Sequence, residues 1–271
     1  MMPAKNRPDF IWMRPNRPER APAPVLSRDQ IAAAAITVAD EHGVDAVTMR
    51  NVAAVIGCGA MSLYRHVRTK DELLDVMIDT VAGEDGGPPS APSGDWRTDL
   101  RDAARRMRAD AMRHPWIPQL WNTRLSFGPN TLARLEFALS AVAGLGLPID
   151  QMARTVQTVH AFVHGVVRDE LADRQWRASQ TAAAANPSQP DLAAYLQQVI
   201  ESGRYPNFSR LAIEADDSPD PDAGFEWQLQ RILDGLAEAM RRPRNAAPHR
   251  DADLGHPEGP DDDIIGACQP R

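Results

Sequence analysis

Apolar residues recur at helical spacing through two stretches of the chain, about 27–82 and about 95–241, and no convincing period-two alternation marks a strand. In the first stretch Ile31, Ala34, Ala35, Val38 and Ala39 share one helical face. Ser27 and Gln30 have the spacing of a capping box at its start, and Gly43 supplies a stop. Thr69 and Glu72 repeat the box ahead of Leu73, Leu74, Met77, Ile78 and Val81, with Gly83 expected to close the helix over 69–82. Two shorter helices, about 48–56 and 60–67, are expected between them. Gly57-Cys58-Gly59 separates these two, both glycines being expected at positive φ.

The second stretch reads the same way. Trp96, Leu100, Ala103, Met107 and Ala111 line one helix, ended by Pro115. Leu132, Leu135, Leu139 and Val142 line another. Met152, Val156, Val159, Val163 and Val166 mark a long helix over about 150–173. Leu192, Tyr195, Leu196 and Val199 mark a shorter one, and Phe225, Leu229, Ile232, Leu236 and Met240 the last. The pattern fails in four places. Residues 1–26 are Pro- and Arg-rich, the composition of a flexible basic arm. Residues 83–94 form a Gly/Pro/Ser linker, and 177–190 an expected long loop. From about 242 to 271 Pro, Gly, Asp and His dominate, as in a disordered tail. The fold class is therefore all-α: a small three-helix unit at 27–82 followed by a larger helical domain at 95–241.

Composition narrows the function. The 271 residues are 43% hydrophobic and 25% charged, without an apolar run approaching the ~18 residues of a membrane span. No signal-peptide stretch opens the chain, and two distant cysteines, Cys58 and Cys268, build no disulfide framework. A cytoplasmic protein without a membrane partner is expected. The net charge of −7 argues at first against nucleic acid, but residues 1–70 hold ten Lys/Arg against six Asp/Glu, a local +4. No nucleophile turn, phosphate-binding glycine loop or paired metal carboxylates are present, so neither an enzyme nor a cofactor is expected.

Two short helices joined by a glycine turn inside a three-helix unit have the form of a helix-turn-helix, although most such pairs are plain packing units. In that form Ala60, Met61, Ser62 and Arg65 would face base edges, Arg65 able to bridge guanine O6 and N7. Tyr64, His66 and Lys70 would sit at phosphates. The residues carry the argument further. Gly43-Val44-Asp45-Ala46-Val47-Thr48-Met49-Arg50, Val52-Ala53-Ala54-Val55-Ile56-Gly57 and above all Ser62-Leu63-Tyr64-Arg65-His66-Val67-Arg68-Thr69-Lys70-Asp71-Glu72-Leu73-Leu74 resemble the DNA-binding domain of the TetR/AcrR family of bacterial transcriptional regulators. More weakly, the Trp12 arm, a Tyr205-Pro206-Asn207-Phe208 turn and the final Phe225…Leu236 helix resemble the subgroup near the tetracycline repressor. The resemblance implies that Arg50 also reaches a base edge and that Thr48 joins the phosphate contacts. Ala60 and Met61 are apolar where that subgroup has a polar base reader, and Arg65 replaces an aromatic, so the operator does not carry over.

In the larger domain His160 and His164 stand at i and i+4, as a metal pair, a pocket pair or core histidines would; no third ligand is identifiable, and no metal is expected. Aromatics cluster in its first half, the usual sign of a core. The resemblance implies a small-molecule effector pocket there, for which Met107, Trp121, Phe127, His160 and His164 are the candidates, with Trp121 and Phe127 in the least regular stretch. It also implies a homodimer joined by the 150–173 and final helices through Val156, Val159, Val163, Leu229, Ile232 and Leu236. The expected function is a DNA-binding regulator, a repressor released from a palindromic operator by a small molecule. The alternatives are an activator of the same type, or an all-α ligand carrier or enzyme.

Overall fold

A computed structural model describes residues 10–14, 26–121, 126–183, 192–215 and 220–241. Among these every long element is a helix and no strand occurs. Most of the arm, the residues 184–191 and the tail 242–271 lie outside the described residues.

The head holds α1 (Arg28–His42), α2 (Met49–Ile56), α3 (Ala60–Leu63) and α4 (Lys70–Gly83). Ser27 and Gln30 form the full capping box of α1, and Gly43 leaves it at φ 81°. Thr48 caps α2 by accepting from the Asn51 amide, and Thr69 caps α4 by accepting from Glu72. The reciprocal half of the α4 box goes elsewhere: Glu72 Oε2 accepts from the Arg68 amide and from the Arg14 guanidinium. Ile31, Val52, Leu63, Val67, Leu73 and Met77 close a core with no exposure above 1%.

Several expectations change here. Of the two turn glycines, Gly57 has positive φ (79°, the left-handed region), while Gly59 has negative φ, is extended and precedes α3. The reading helix stops after Leu63 rather than 67, because Val67 must reach the core and Thr69 must start α4. Gly83 is the last helical residue of α4 and no left-handed stop. Its role is close approach, since a Cβ there would lie 2.7 Å from Asn130 Nδ2. Within the basic arm, residues 10–14 are docked. Ile11 is 1% exposed in the head core, Arg14 pairs with Glu72 at 2.6 Å, and Arg28 donates to the Arg14 carbonyl.

The body comprises α5 (Trp96–Arg113), α6 (Ile117–Trp121), α7 (Pro129–Ala143), α8 (Ile149–Ala183), α9 (Leu192–Glu201), α10 (Pro206–Glu214) and α11 (Pro221–Arg241). α5, α7 and α11 pack around α8, and α4 crosses from the head onto α7. α8 runs on through the expected loop as far as Ala183. The alanines there are the strongest helix formers available, whatever loop character their neighbours suggest. The expected Tyr205–Phe208 turn is the start of α10, with Pro206 in the first turn where its missing N–H costs nothing. Trp121 ends the short helix α6 rather than lying in an irregular stretch.

Val156, Val159, Val163 and Leu229 are at most 2% exposed inside the single protomer, packed with Leu100, Ala111 and Val142. They are core residues of the protomer itself. Periodicity located the buried face of α8 and α11, but α5 and α7 of the same chain already cover it. Leu236 is partly buried against this core, and Ile232 is half-buried.

Candidate nucleic-acid interface and body cavity

The head presents an exposed polar edge built by α2, α3 and the turn that follows. Arg50, Tyr64, Arg65 and Lys70 are exposed, and Met61 is 78% exposed at the tip of α3. Ser62 is half-buried, and its Oγ lies 3.5 Å from Arg65 Nη2. Ala60 departs from expectation: it is half-buried against the head core, so Met61 is the apolar residue left to meet a groove. The Thr48 hydroxyl oxygen is engaged by Asn51, while its O–H proton remains available to a phosphate. His66 is half-buried, and burial, then Arg65 and Arg28, push its pKa down. At neutral pH it offers one neutral N–H rather than a charge.

The body holds a half-open cavity of about 410 Å³ between α4, α5, α6, α7 and α8. All five residues singled out from the sequence, Met107, Trp121, Phe127, His160 and His164, line it. The Trp121 and His164 rings stack at 4.1 Å and 9°. Burial lowers the His160 pKa, and burial with His160 beside it lowers His164 to about 4, so both rings are neutral at pH 7. Among the described residues no group of three or more His, Cys, Asp or Glu could hold a metal ion. Sequence reasoning missed the cavity's charged lining, Arg106, Asp110 and Arg134. Its signal was present in Asp110 and Arg134, charged residues set among the apolar positions of α5 and α7.

Head and cavity share α4. Its amino-terminal part packs the head core, while Ile78, Val81 and Ala82 near its end line the cavity. Asp79, 3% exposed, reaches from α4 to the start of α7, where its Oδ1 accepts from the Thr131 amide and hydroxyl. Asn130 Nδ2 donates to Asp79 Oδ2. Gly128, the residue at the cap of α7, has no side chain to do this, and a Cβ on it would fall 2.2 Å from Asp79 Cγ. A second clamp joins α1 to the end of α5. The His114 ring lies 2.9 Å from Asp40 and 3.0 Å from Glu84, and Trp116 Nε1 donates to Asp40.

A helix-turn-helix head coupled by one helix to a body with a cavity defines a DNA-binding regulator of ligand-responsive design. Residues 31–77 match the bacterial regulatory proteins of the tetR family, and residues 88–240 the tetracyclin repressor-like C-terminal domain. The chain is 36% identical over 242 residues to the HTH-type transcriptional repressor DrrR1 of Streptomyces coeruleorubidus, 88% of each chain being covered. It is 27% identical over 241 residues to the tetracycline repressor protein class A from transposon 1721 of Escherichia coli, covering 84% of this chain and 98% of that one. The TetR family protein ActR of Streptomyces coelicolor, solved in complex with actinorhodin, matches with a TM-score of 0.62 at 26% identity, over 81% of this chain and all of that one. The chain belongs to the TetR family of bacterial transcriptional regulators. It is a DNA-binding regulator, not an enzyme. Members of the family bind DNA operators and small-molecule effectors and act as dimers.

Proposed function

We propose that this regulator is a cytoplasmic homodimeric repressor that holds a palindromic operator until a small molecule occupies the body cavity. The observation that carries the reading is α4, one helix that both builds the head core and walls the cavity. A ligand shifts such a system only through different affinity for two arrangements of the heads. The names of relatives such as the repressor DrrR1, and the ActR complex with actinorhodin, support the reading. In it Met61, Ser62, Arg65 and Arg50 reach base edges, and Thr48, Tyr64, His66 and Lys70 meet phosphates. The dimer forms on the outward sides of α8 and α11, around Ala161 and Gly165 on one and Arg231 and Gly235 on the other. Trp227, 65% exposed, and Ile232 flank that face of α11.

Footprinting on the DNA flanking its own gene tests this. A two-fold symmetric protected stretch is expected, lost when a small-molecule extract of the source culture is added. It should persist with the extract when Leu135→Trp fills the cavity. Absence of protection, or equal loss in the variant, contradicts the reading.

A further inference from the structure

The cavity contains a buried ion pair with unused hydrogen-bonding atoms. Arg134 on α7 donates from Nη1 to Oδ2 of Asp110 on α5, and both residues line the cavity. Asp110 is 4% exposed. Arg134 Nε and Nη2 are buried without a partner, and so is Asp110 Oδ1. Buried donors of this kind have given up water and gained nothing in return, which is uncommon enough to call for a reason. The two free atoms are not scattered. Nε and Nη2 share one edge of the planar guanidinium, and their parallel N–H groups form the fork that takes both oxygens of a carboxylate. Asp110, bound at Nη1, holds the group while leaving that edge covered but without a partner.

The rest of the lining agrees. Arg106 and Arg134 against Asp110 leave one positive charge in excess, and the Arg106 guanidinium already lies over the Phe137 ring at 5.8 Å. His160 and His164 are neutral at pH 7 and add nothing to this balance. Gln157, Ser126 and Thr131 are polar without charge, and most of the other walls are apolar. Trp121 stacked on His164 gives a flat face, with Phe127 and Leu135 also on the walls.

We propose that the ligand of this cavity is an aromatic monocarboxylate, gripped side-on by Arg134 Nε and Nη2, with its rings between Trp121, Phe127 and Leu135. This rests on the reading of the cavity as the effector site and adds the chemical class of the effector. Burial raises the Asp110 pKa, so the approach of a second carboxylate can be met by a proton on its free Oδ1.

The test uses the full chain and two probes of matched shape, anthraquinone-2-carboxylate and anthraquinone-2-carboxamide, in titration calorimetry. The acid should bind at least about tenfold tighter than the amide. Removing Arg134 alone would strand Asp110, so the paired variant Asp110→Asn/Arg134→Gln is used, which keeps a neutral hydrogen bond between the positions. Circular dichroism and DNA binding report its fold. The acid should lose its advantage in this variant while amide affinity stays within about threefold. Leu135→Trp should abolish both. Equal binding of acid and amide to the unsubstituted protein, abolished by Leu135→Trp, overturns the carboxylate proposal and leaves the effector cavity standing. Binding that survives Leu135→Trp, or no binding of either probe at millimolar concentration, overturns both.

Discussion

Arg65 and Lys70 are both exposed on the head, yet they are expected to do different work. A guanidinium on a guanine edge discriminates between bases, whereas an ammonium on a phosphate strengthens every sequence alike. Arg65→Ala should cost ~1–3 kcal/mol of discrimination at one base position and flatten preference there. Lys70→Ala should weaken all duplexes about equally and lower the salt dependence of binding. Competition binding against single-base variants of the operator separates the two, and full specificity in Arg65→Ala means that another residue reads that base. The histidines give a second prediction. The His164 pKa is lowered to about 4 by burial and His160, so its neutral form is favoured in the fold. Stability is retained above the unfolded value of about 6.5 and lost as pH falls from there through about 4, by at most about 3 kcal/mol. His114 acts with the opposite sign. Burial pushes its pKa down, but Asp40 and Glu84 outweigh burial and raise it, so its contribution is full below about 6.5 and fades as pH rises through the raised value. Thermal melts against pH should show a shallower acid-side loss in His164→Gln and a shallower alkaline-side loss in His114→Gln. At this scale the sequence showed the cavity histidines and the aromatic Trp121, because their spacing sets them on one helix or in one cluster. Arg134 and Asp110 went unread although they stand among apolar positions, because a charge on an amphipathic helix ordinarily faces water.

Element by element, the helices follow from apolar spacing and caps, and Ser27, Thr48 and Thr69 cap as their positions require. The differences arise where tertiary demands outrank local preference. α3 is cut to one turn by the need to bury Val67, and Gly83 serves close packing on Asn130 rather than a stop. No local pattern in α7 announces that its cap comes from another helix. Asp79 of α4 supplies the acceptor that Gly128 lacks, and this ties the head's last helix to the cavity wall. Asp79→Ala would leave the Thr131 amide and Asn130 amide group without that acceptor, at a cost of about 1–3 kcal/mol in urea denaturation. Gly128→Ser, although a good capping residue by itself, should also destabilise, because its Cβ would collide with Asp79. A stabilised Gly128→Ser would show that Asp79 does not hold α7 in this way.

For the whole molecule, the two-domain plan was legible in the break at 83–94 and in the basic head on an acidic chain. The dimer face was not. Apolar periodicity reports that a helix side is buried, and it is silent about whether the same chain or a second copy buries it. Val156, Val159, Val163 and Leu229 proved to be internal. This separates two substitutions on α11. Leu229→Asp places an unpaired charge in the protomer's own core, at several kcal/mol, and should unfold the body. Ile232→Asp falls at a half-buried position and should give folded monomers with weakened operator binding, since the second half-site contact is lost. Light scattering with circular dichroism distinguishes these outcomes, and a dimeric Ile232→Asp at micromolar concentration removes this position from the interface. The central claim is that two copies of one head read DNA together under the control of the body. The most direct measurement is selection of duplexes from a random pool by the purified full chain. The account predicts enrichment of an inverted repeat whose half-sites lie about one helical turn, roughly 34–36 Å, apart or a multiple of it. A pool that yields no common sequence, or a single asymmetric half-site, would contradict it.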